Sequence, residues 1–313
     1  DIVVRGEGEK TFPELVSAMA GGRDLSSVKG IAYRAPAGDV TFTERRQRVE
    51  LDDYPPFAAT FGHFGPIEIT RGCPFSCRFC QTPQLAGAGL RHRSVTAVAE
   101  AVSIMHRRKL SDIRVITPNV FAYGSGDGRR VNLAKIAELF QAIRSIIGRE
   151  GRFFAGSFPS EVRPEHVSEE TLRLLRAFTD NDNIVIGAQS GSQRMLDHCR
   201  RGHLVDDVIR AVDLAVLYGY KASVDFIFGL PGETQEDVEQ SIEVMQLLAG
   251  MGARVHGHTF MPLPGTAFAD QPPGRIPPHL RKAIELLVSN GKAFGDWKKQ
   301  EEQARLIAGR IRS

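Results

Sequence analysis

Apolar and polar positions change period repeatedly along this chain, and the changes divide it into elements. Short apolar runs of strand character recur at 67–70, 113–117, 153–158, 184–188, 223–228 and 255–261. Between them, apolar residues return every three to four positions, at 94–109, 131–148, 168–178, 204–218 and 234–249, the period of a helix with one buried face. Some helix starts carry capping chemistry: Ser168 precedes Glu169 and Glu170, and Thr234, just after Gly232, stands three residues before Asp237. Six strand–helix units in succession predict an α/β fold with a parallel sheet, open or rolled into a partial barrel. In such sheets functional groups gather at the carboxyl ends of the strands.

The flanks read differently. Residues 1–9 resemble the end of a strand and a loop, and 10–20 a helix with Phe12, Leu15, Val16 and Met19 at helical spacing. Residues 30–43 alternate as a β-hairpin around Pro36-Ala37-Gly38-Asp39, and 44–65 are charged, then Pro-rich and aromatic, as in a linker. Residues 278–313 read as helix. A strand at the very start has no earlier partner, so the chain is expected to be a fragment. The expected divisions are 1–29, 30–65, a core over 66–266 and a helical extension over 267–313.

Composition narrows the class. With 313 residues, 42% hydrophobic and 25% charged, the chain has room for one large α/β domain and a small appendage. A net charge of +3, spread over short runs such as Arg107-Arg108-Lys109, neither implies nor excludes nucleic acid. No apolar stretch approaches the roughly 18 residues of a membrane span, and no signal peptide is visible. Low cysteine use points to a reducing cytoplasm.

Three of the four cysteines stand together in Arg71-Gly72-Cys73-Pro74-Phe75-Ser76-Cys77-Arg78-Phe79-Cys80, on the loop after the first core strand. Thiolates this close usually hold iron or zinc. Zinc would want a second Cys or His pair, and only Cys199 and scattered histidines follow. Buried structural thiols fit poorly with the intervening Pro, Ser and Arg, and a disulfide leaves an odd cysteine. Three ligands on a four-iron cluster would leave one iron for a non-protein group.

The later strand ends carry polar or glycine-rich tails: Thr117-Pro118-Asn119 with Tyr123-Gly124, Ser160-Glu161 with Arg163, Gln189-Ser190-Gly191-Ser192, Phe228-Gly229-Leu230-Pro231-Gly232-Glu233-Thr234, and Met261-Pro262-Leu263-Pro264-Gly265-Thr266. Singly these are ordinary turns. Asp225, inside an apolar strand, needs a partner if buried. Cys199 reads as a partly buried helical thiol or, alternatively, as a thiol near the site whose pKa Arg200 and Arg201 lower. His256 and His258 share one face of the sixth strand, where His258 could face the barrel interior or be a satisfied core residue.

The cysteine spacing with Phe79 before the last cysteine, then the run from Gln189 to Leu196, Arg201-Gly202-His203 and 225–234 in this order, resembles the radical S-adenosylmethionine (SAM) superfamily over roughly 66–266. The resemblance implies a partial (β/α)6 TIM-like barrel. It implies a [4Fe-4S] cluster on Cys73, Cys77 and Cys80, SAM on its open iron, and a reductant such as ferredoxin or flavodoxin. It places Phe79, Asn119, Ser160, Glu161, Gln189, Ser190, Asp225 and Met261 around SAM. Phe79, Phe228 and Met261 suit an adenine slot, Glu161 or Gln189 the ribose, and Ser160 or Arg201 the carboxylate. Asn119-x-x-x-Tyr123-Gly124 is closer to methylthiotransferases, but the three extra cysteines of those enzymes are missing here. Residues 3–15 resemble the last strand, loop and helix of the cobalamin-binding domain that precedes many radical SAM cores. On that likeness 1–29 is a remnant of such a domain, and cobalamin is a candidate cofactor of a longer protein. The expected reaction is reductive SAM cleavage to a 5'-deoxyadenosyl radical that activates a C–H bond of an unknown substrate, with cobalamin-linked methyl transfer as one ending. The alternatives are a cobalamin-independent enzyme similar to methylthiotransferases or coproporphyrinogen dehydrogenases, and a non-enzymatic iron–sulfur electron carrier.

Overall fold

The computed structural model describes residues 1–312, and the chain divides into two units, Asp1–Pro56 and Phe57–Ser313. In the first, β1 (Ile2–Val4) leads into α1 (Gly8–Ala20), followed by the hairpin of β2 (Ile31–Arg34) and β3 (Val40–Phe42). The sequence leaves the first strand without a partner; in the structure it pairs antiparallel with β2, Val4 opposite Ile31. Gly30 makes this possible. At φ +78° it turns the chain back in a conformation that glycine adopts without strain, and its carbonyl accepts the Arg5 N–H at 2.8 Å. Helix and hairpin therefore share one small core, Leu15 and Ala18 against Val28 and Ile31, while Phe12, Val16 and Met19 on α1 are exposed.

The second unit begins with β4 (Ile67–Glu68) and β5 (Thr70–Arg71), then α2 (Thr82–Ala86) and β6 (Arg91–His92). After these come α3 (Val95–Arg107), β7 (Asp112–Ile116), α4 (Leu133–Ile147), β8 (Arg152–Phe154), α5 (Glu169–Phe178) and β9 (Asn183–Gln189). The last elements are α6 (Gln193–His198), α7 (Val205–Leu217), β10 (Lys221–Phe228), α8 (Gln235–Gly250), β11 (Arg254–Thr259), α9 (Pro278–Ser289), β12 (Ala293–Phe294) and α10 (Trp297–Arg312). β4, β7 and β8 form one parallel group; β9, β10, β11 and β12 form another. The chain after β8 stitches the groups together, because Val162 bridges Ile186 in parallel and bonds Val185 and Gly187. The result is an α/β row of parallel strands in chain order. Among the described residues no ladder joins β4 to β12, so any barrel it forms is open.

Two details differ from the sequence reading. Residues 278–313 are not one helix: β12 interrupts them and adds a parallel strand beside β11, Ala293 opposite Val255. Two residues are too few to leave a periodic signal. The third core strand stops at Phe154 rather than running to residue 158, because Gly156 turns to φ +71° and its N–H goes to Ser160 Oγ.

Strand alternation decides which side chains can reach the interior of the row. On β10, Val224, Phe226 and Phe228 are buried in the main core, whereas Ser223, Asp225 and Ile227 point the other way and are half-buried. On β11, His256 and His258 fall on the half-buried side. Gly257 lies between them because the opposite face has no room: a Cβ there would sit 2.7 Å from Phe228 and 3.3 Å from Trp297.

Candidate active site

The cysteine loop is clamped at its base. β5 pairs antiparallel with β6, Arg71 opposite Arg91, and the Cys73 N–H donates to Gly87 O at 2.9 Å. Gly72 makes the tight entry at φ +94°, and a Cβ on it would lie 2.1 Å from Gly89 O. At the other end the Arg78 N–H donates to Cys199 O at 3.0 Å, and the Cys80 N–H to Cys77 O at 3.1 Å.

This places Cys73, Cys77 and Cys80, none of them in a disulfide, on one cavity that encloses about 740 Å³ of space, part of it open to solvent. Phe75, Phe79, Asn119, Glu161, Arg163, Gln189 and Arg201 also line it. Cys80 Sγ accepts the Thr82 N–H at 3.4 Å, and Arg201 Nη1 donates to Cys77 Sγ at 3.5 Å. Burial pushes the Cys73 thiol pKa up, and the neighbouring Cys77 and Cys80 add to the shift. Three thiolates crowded this way need a cation between them, which is the donor set of an iron–sulfur cluster.

Beyond the cysteines, three polar groups converge over Gly187 on β9. A Cβ there would meet Gln189 Nε2 at 2.9 Å, Glu161 Oε2 at 3.0 Å and Arg201 Nη2 at 3.2 Å. Glycine leaves that space to them. Gln189 stands at φ +77°, unusual for a side-chain-bearing residue at a strand end, and such strain concentrates at functional sites. Arg201 is buried, with Nη2 bonded to Gly187 O at 2.7 Å and Nε without a partner. Burial raises the pKa of Glu161, and the charge of Asp225 raises it further. A cradle holding a guanidinium, a carboxyl and an amide beside three thiolates fits a cluster together with a ligand bearing amino-acid and hydroxyl groups.

Asp225 is a short step away. Its Oδ1 accepts from His256 Nδ1 at 2.9 Å and lies 3.8 Å from His258 Nε2. Burial alone would raise its pKa; the two histidines hold it below the usual carboxylate range. The three residues each place a donor atom within 4.8 Å of the others, the makings of a metal triad. The hydrogen bonds speak against that use. Gln300 Oε1 accepts the Thr259 N–H, so its Nε2 faces His258 Nδ1, which must accept. The neutral His258 then carries its proton on Nε2, the atom a metal would need. Asp225 thus has the partners its burial demands.

Other expected positions fall elsewhere. Ser160 Oγ is spent on Gly156 N–H and Ser157 O, and Ser190 Oγ on the Ser192 N–H and Ser241. Neither lines the cavity. Phe228 lies in the core against Gly257, and period two already sets it on the face opposite Asp225. Met261 is half-buried and is not among the lining residues. Asn119 lines the cavity, but its amide is engaged, Nδ2 with His166 Nδ1 at 2.7 Å and Oδ1 with the Arg163 N–H at 3.4 Å. Cys199 is not activated: burial, with Cys77 close by, pushes its pKa up to about 12.

Arg163 is a lining residue that the sequence reading did not single out as a site residue. Its guanidinium lies 3.5 Å from the Phe75 ring centroid and bonds Arg201 O and Glu165. A signal was there. Glu161 and Arg163 are two apart on an extended tail, so a site that takes one takes the other.

The sequence profile of the Radical SAM superfamily matches residues 67–245. The chain belongs to the radical SAM superfamily. An uncharacterised methyltransferase of Pyrococcus horikoshii is 29% identical over 260 residues, 79% of this chain and 53% of that protein. The tRNA-2-methylthio-N(6)-dimethylallyladenosine synthase of a Sulfurihydrogenibium species is 27% identical over 245 residues, 77% of this chain and 53% of that protein. Among solved structures, the radical SAM methyltransferase TsrM of Kitasatospora setae, with cobalamin and a [4Fe-4S] cluster bound, superposes with TM-score 0.66 at 18% identity over 87% of this chain and 53% of that one. The chain thus spans about half the length of these relatives. This radical SAM superfamily chain has no helix, among its described residues, long and apolar enough to cross a membrane.

Proposed function

We propose that this chain is the SAM-cleaving core of a longer enzyme that activates a C–H bond of its substrate and, with cobalamin, transfers a methyl group to carbon. The observation that carries the first part is the convergence of three unpaired thiols with Glu161, Gln189 and Arg201 on one cavity. The methyl-transfer part is supported by the likeness to TsrM, whose solved form holds cobalamin, by the methyltransferase relative, and by the resemblance of residues 3–15 to the end of a cobalamin-binding domain. On this reading 66–266 is the catalytic core and 1–29 the remnant of the preceding domain.

Cys73, Cys77 and Cys80 would hold a [4Fe-4S] cluster. When bound, the cluster and SAM supply a radical: one electron entering the sulfonium breaks a carbon–sulfur bond and leaves methionine and 5'-deoxyadenosyl, which takes hydrogen from carbon. The chain does the rest. Arg201 and Arg163 offset thiolate charge from inside the protein, where a cation is effective because water does not screen it. The Glu161 carboxyl and the Arg201 guanidinium, side by side over Gly187, match the ammonium and carboxylate of an amino acid, and Gln189 offers an amide for a hydroxyl. Phe75 and Phe79 keep water from the thiolates. Asp225, held by His256 and His258, keeps a fixed acceptor on the interior face of β10.

The test is anaerobic reconstitution, reduction with dithionite and measurement of 5'-deoxyadenosine, with Cys77→Ala as control. Release from the unaltered protein alone is expected; no release under several reductants would overturn the reading. The similarity to the tRNA methylthio synthase supports a second, cobalamin-free reading. Cobalamin absorption in the full-length protein separates the two.

A further inference from the structure

We propose that a groove on the outer side of the cysteine loop docks an acidic one-electron carrier protein of the flavodoxin type, and that Arg78 and Arg200 recognise it. This rests on the radical SAM reading, which requires an electron donor. Within Cys77-Arg78-Phe79-Cys80 the side chains part. Cys77, Phe79 and Cys80 line the inner cavity, whereas Arg78 lines a separate groove enclosing about 760 Å³ with His198, Arg200, Phe268 and Gln271. Arg78 is pinned there by its backbone, its N–H on Cys199 O and its carbonyl accepting the Phe268 N–H at 3.2 Å. Its guanidinium meets His198 Nδ1 at 3.4 Å and lies 5.9 Å from the centre of the Phe268 ring, on which His198 stacks.

Two features point to a partner of opposite charge, and a third to electron transfer. No carboxylate lines the groove, and among the described residues neither Arg78 nor Arg200 has a carboxylate partner. Arg200 is exposed and held at φ +55°, a left-handed conformation that costs a residue with a side chain roughly 1–2 kcal/mol. The wall behind the groove is apolar. Phe268 on the groove side and Phe79 on the cavity side belong to one apolar cluster with Met195, Cys199, Leu230 and Phe260. A carrier seated on Arg78 and Arg200 would face the thiolates across that cluster. The exchange balances: the flavin hydroquinone gives one electron and one proton and becomes the semiquinone, the electron enters the protein's cluster, and the proton leaves to solvent.

The test compares the reconstituted protein with an Arg78→Glu/Arg200→Glu double variant, and with Arg107→Glu, an exposed residue at the end of α3, as control. Flavodoxin hydroquinone is mixed with each in a stopped-flow instrument at low and high salt. Binding of oxidised flavodoxin is measured separately by calorimetry. Steering by two charges predicts a loss of about tenfold or more in the second-order rate at low salt, a smaller loss at high salt, and weaker binding. Arg107→Glu should match the unaltered protein, and dithionite-driven 5'-deoxyadenosine release should be the same in all three. Rates within twofold of each other, an equal loss in Arg107→Glu, or a parallel loss with dithionite would each overturn the proposal. No release with dithionite from the unaltered protein would sink the radical SAM reading instead, and the binding measurement would still judge the groove.

Discussion

Replacing Gly72 by alanine should empty the cysteine loop of iron without unfolding the protein. The magnitude follows from the clamp at the loop's base. Alanine at φ +94° enters a region that disfavours side chains by roughly 1–2 kcal/mol. Its Cβ would also meet Gly89 O at 2.1 Å and Gly87 O at 3.1 Å, both backbone atoms that no rotamer change can move. To relieve this the β5–β6 ribbon must part, and the Cys73 N–H loses its bond to Gly87 O, worth about 1 kcal/mol. Together these amount to about 2–3 kcal/mol against the clamped loop, or roughly a hundredfold fewer molecules with Cys73 in place, at about 1.4 kcal/mol per tenfold. The assay is iron and sulfide per chain after reconstitution, with far-ultraviolet circular dichroism to confirm folding. Gly65→Ala is the control, since a Cβ there meets nothing within 4 Å. Iron uptake by Gly72→Ala at the stoichiometry and affinity of the unaltered protein would refute the reasoning.

Other expectations follow from single side chains. Arg201→Met should cut iron uptake, read as iron per chain, because Cys77 Sγ and Gly187 O lose the bonds it donates, and should push the Glu161 pKa further up, since Arg201 is a cation that lowers it. Cys199→Ala should leave iron content and SAM cleavage intact, since that thiol is buried and unionised; loss of the cluster would show that it is a ligand. Burial raises the Glu233 pKa to about 7, so the folded state holds a proton the unfolded state has lost, and stability falls as pH rises from about 4.5 to 7. Glu233→Gln should therefore gain up to roughly 3 kcal/mol at pH 8 and nothing at pH 4, measured by urea melts at both. At Asp237 the sign is opposite. Burial would raise its pKa, but hydrogen bonds from Arg194, Ser192 and Thr234 hold it well below the carboxylate range. Its contribution is full above the unfolded pKa and drains away as pH falls through the folded one, so Asp237→Asn should destabilise at pH 7 and converge with the parent in acid.

The row of strands was legible because each has its own helix and a clear change of period. The cysteine triplet was legible because chemistry alone confines such spacing to few uses. What escaped is short or non-local. β12 is two residues, and the partner of β1 lies beyond a helix. The β5–β6 ribbon that clamps the loop joins residues twenty apart with no alternation of their own. Ser160 and Ser190 looked like ligands because hydroxyls at strand ends can be either ligands or loop braces, and only the bonds they make in space tell which. Phe228 is a different case, since its parity with Asp225 was countable from the start.

That parity has a practical side. On β10 and β11 the residues that keep the strands in place and those that face the open interior share no side chain. Ser223 can therefore be varied, and Asp225, His256 and His258 together as one paired group, while Val224, Phe226, Phe228 and Gly257 stay fixed. A search for altered substrate choice has a compact place to begin.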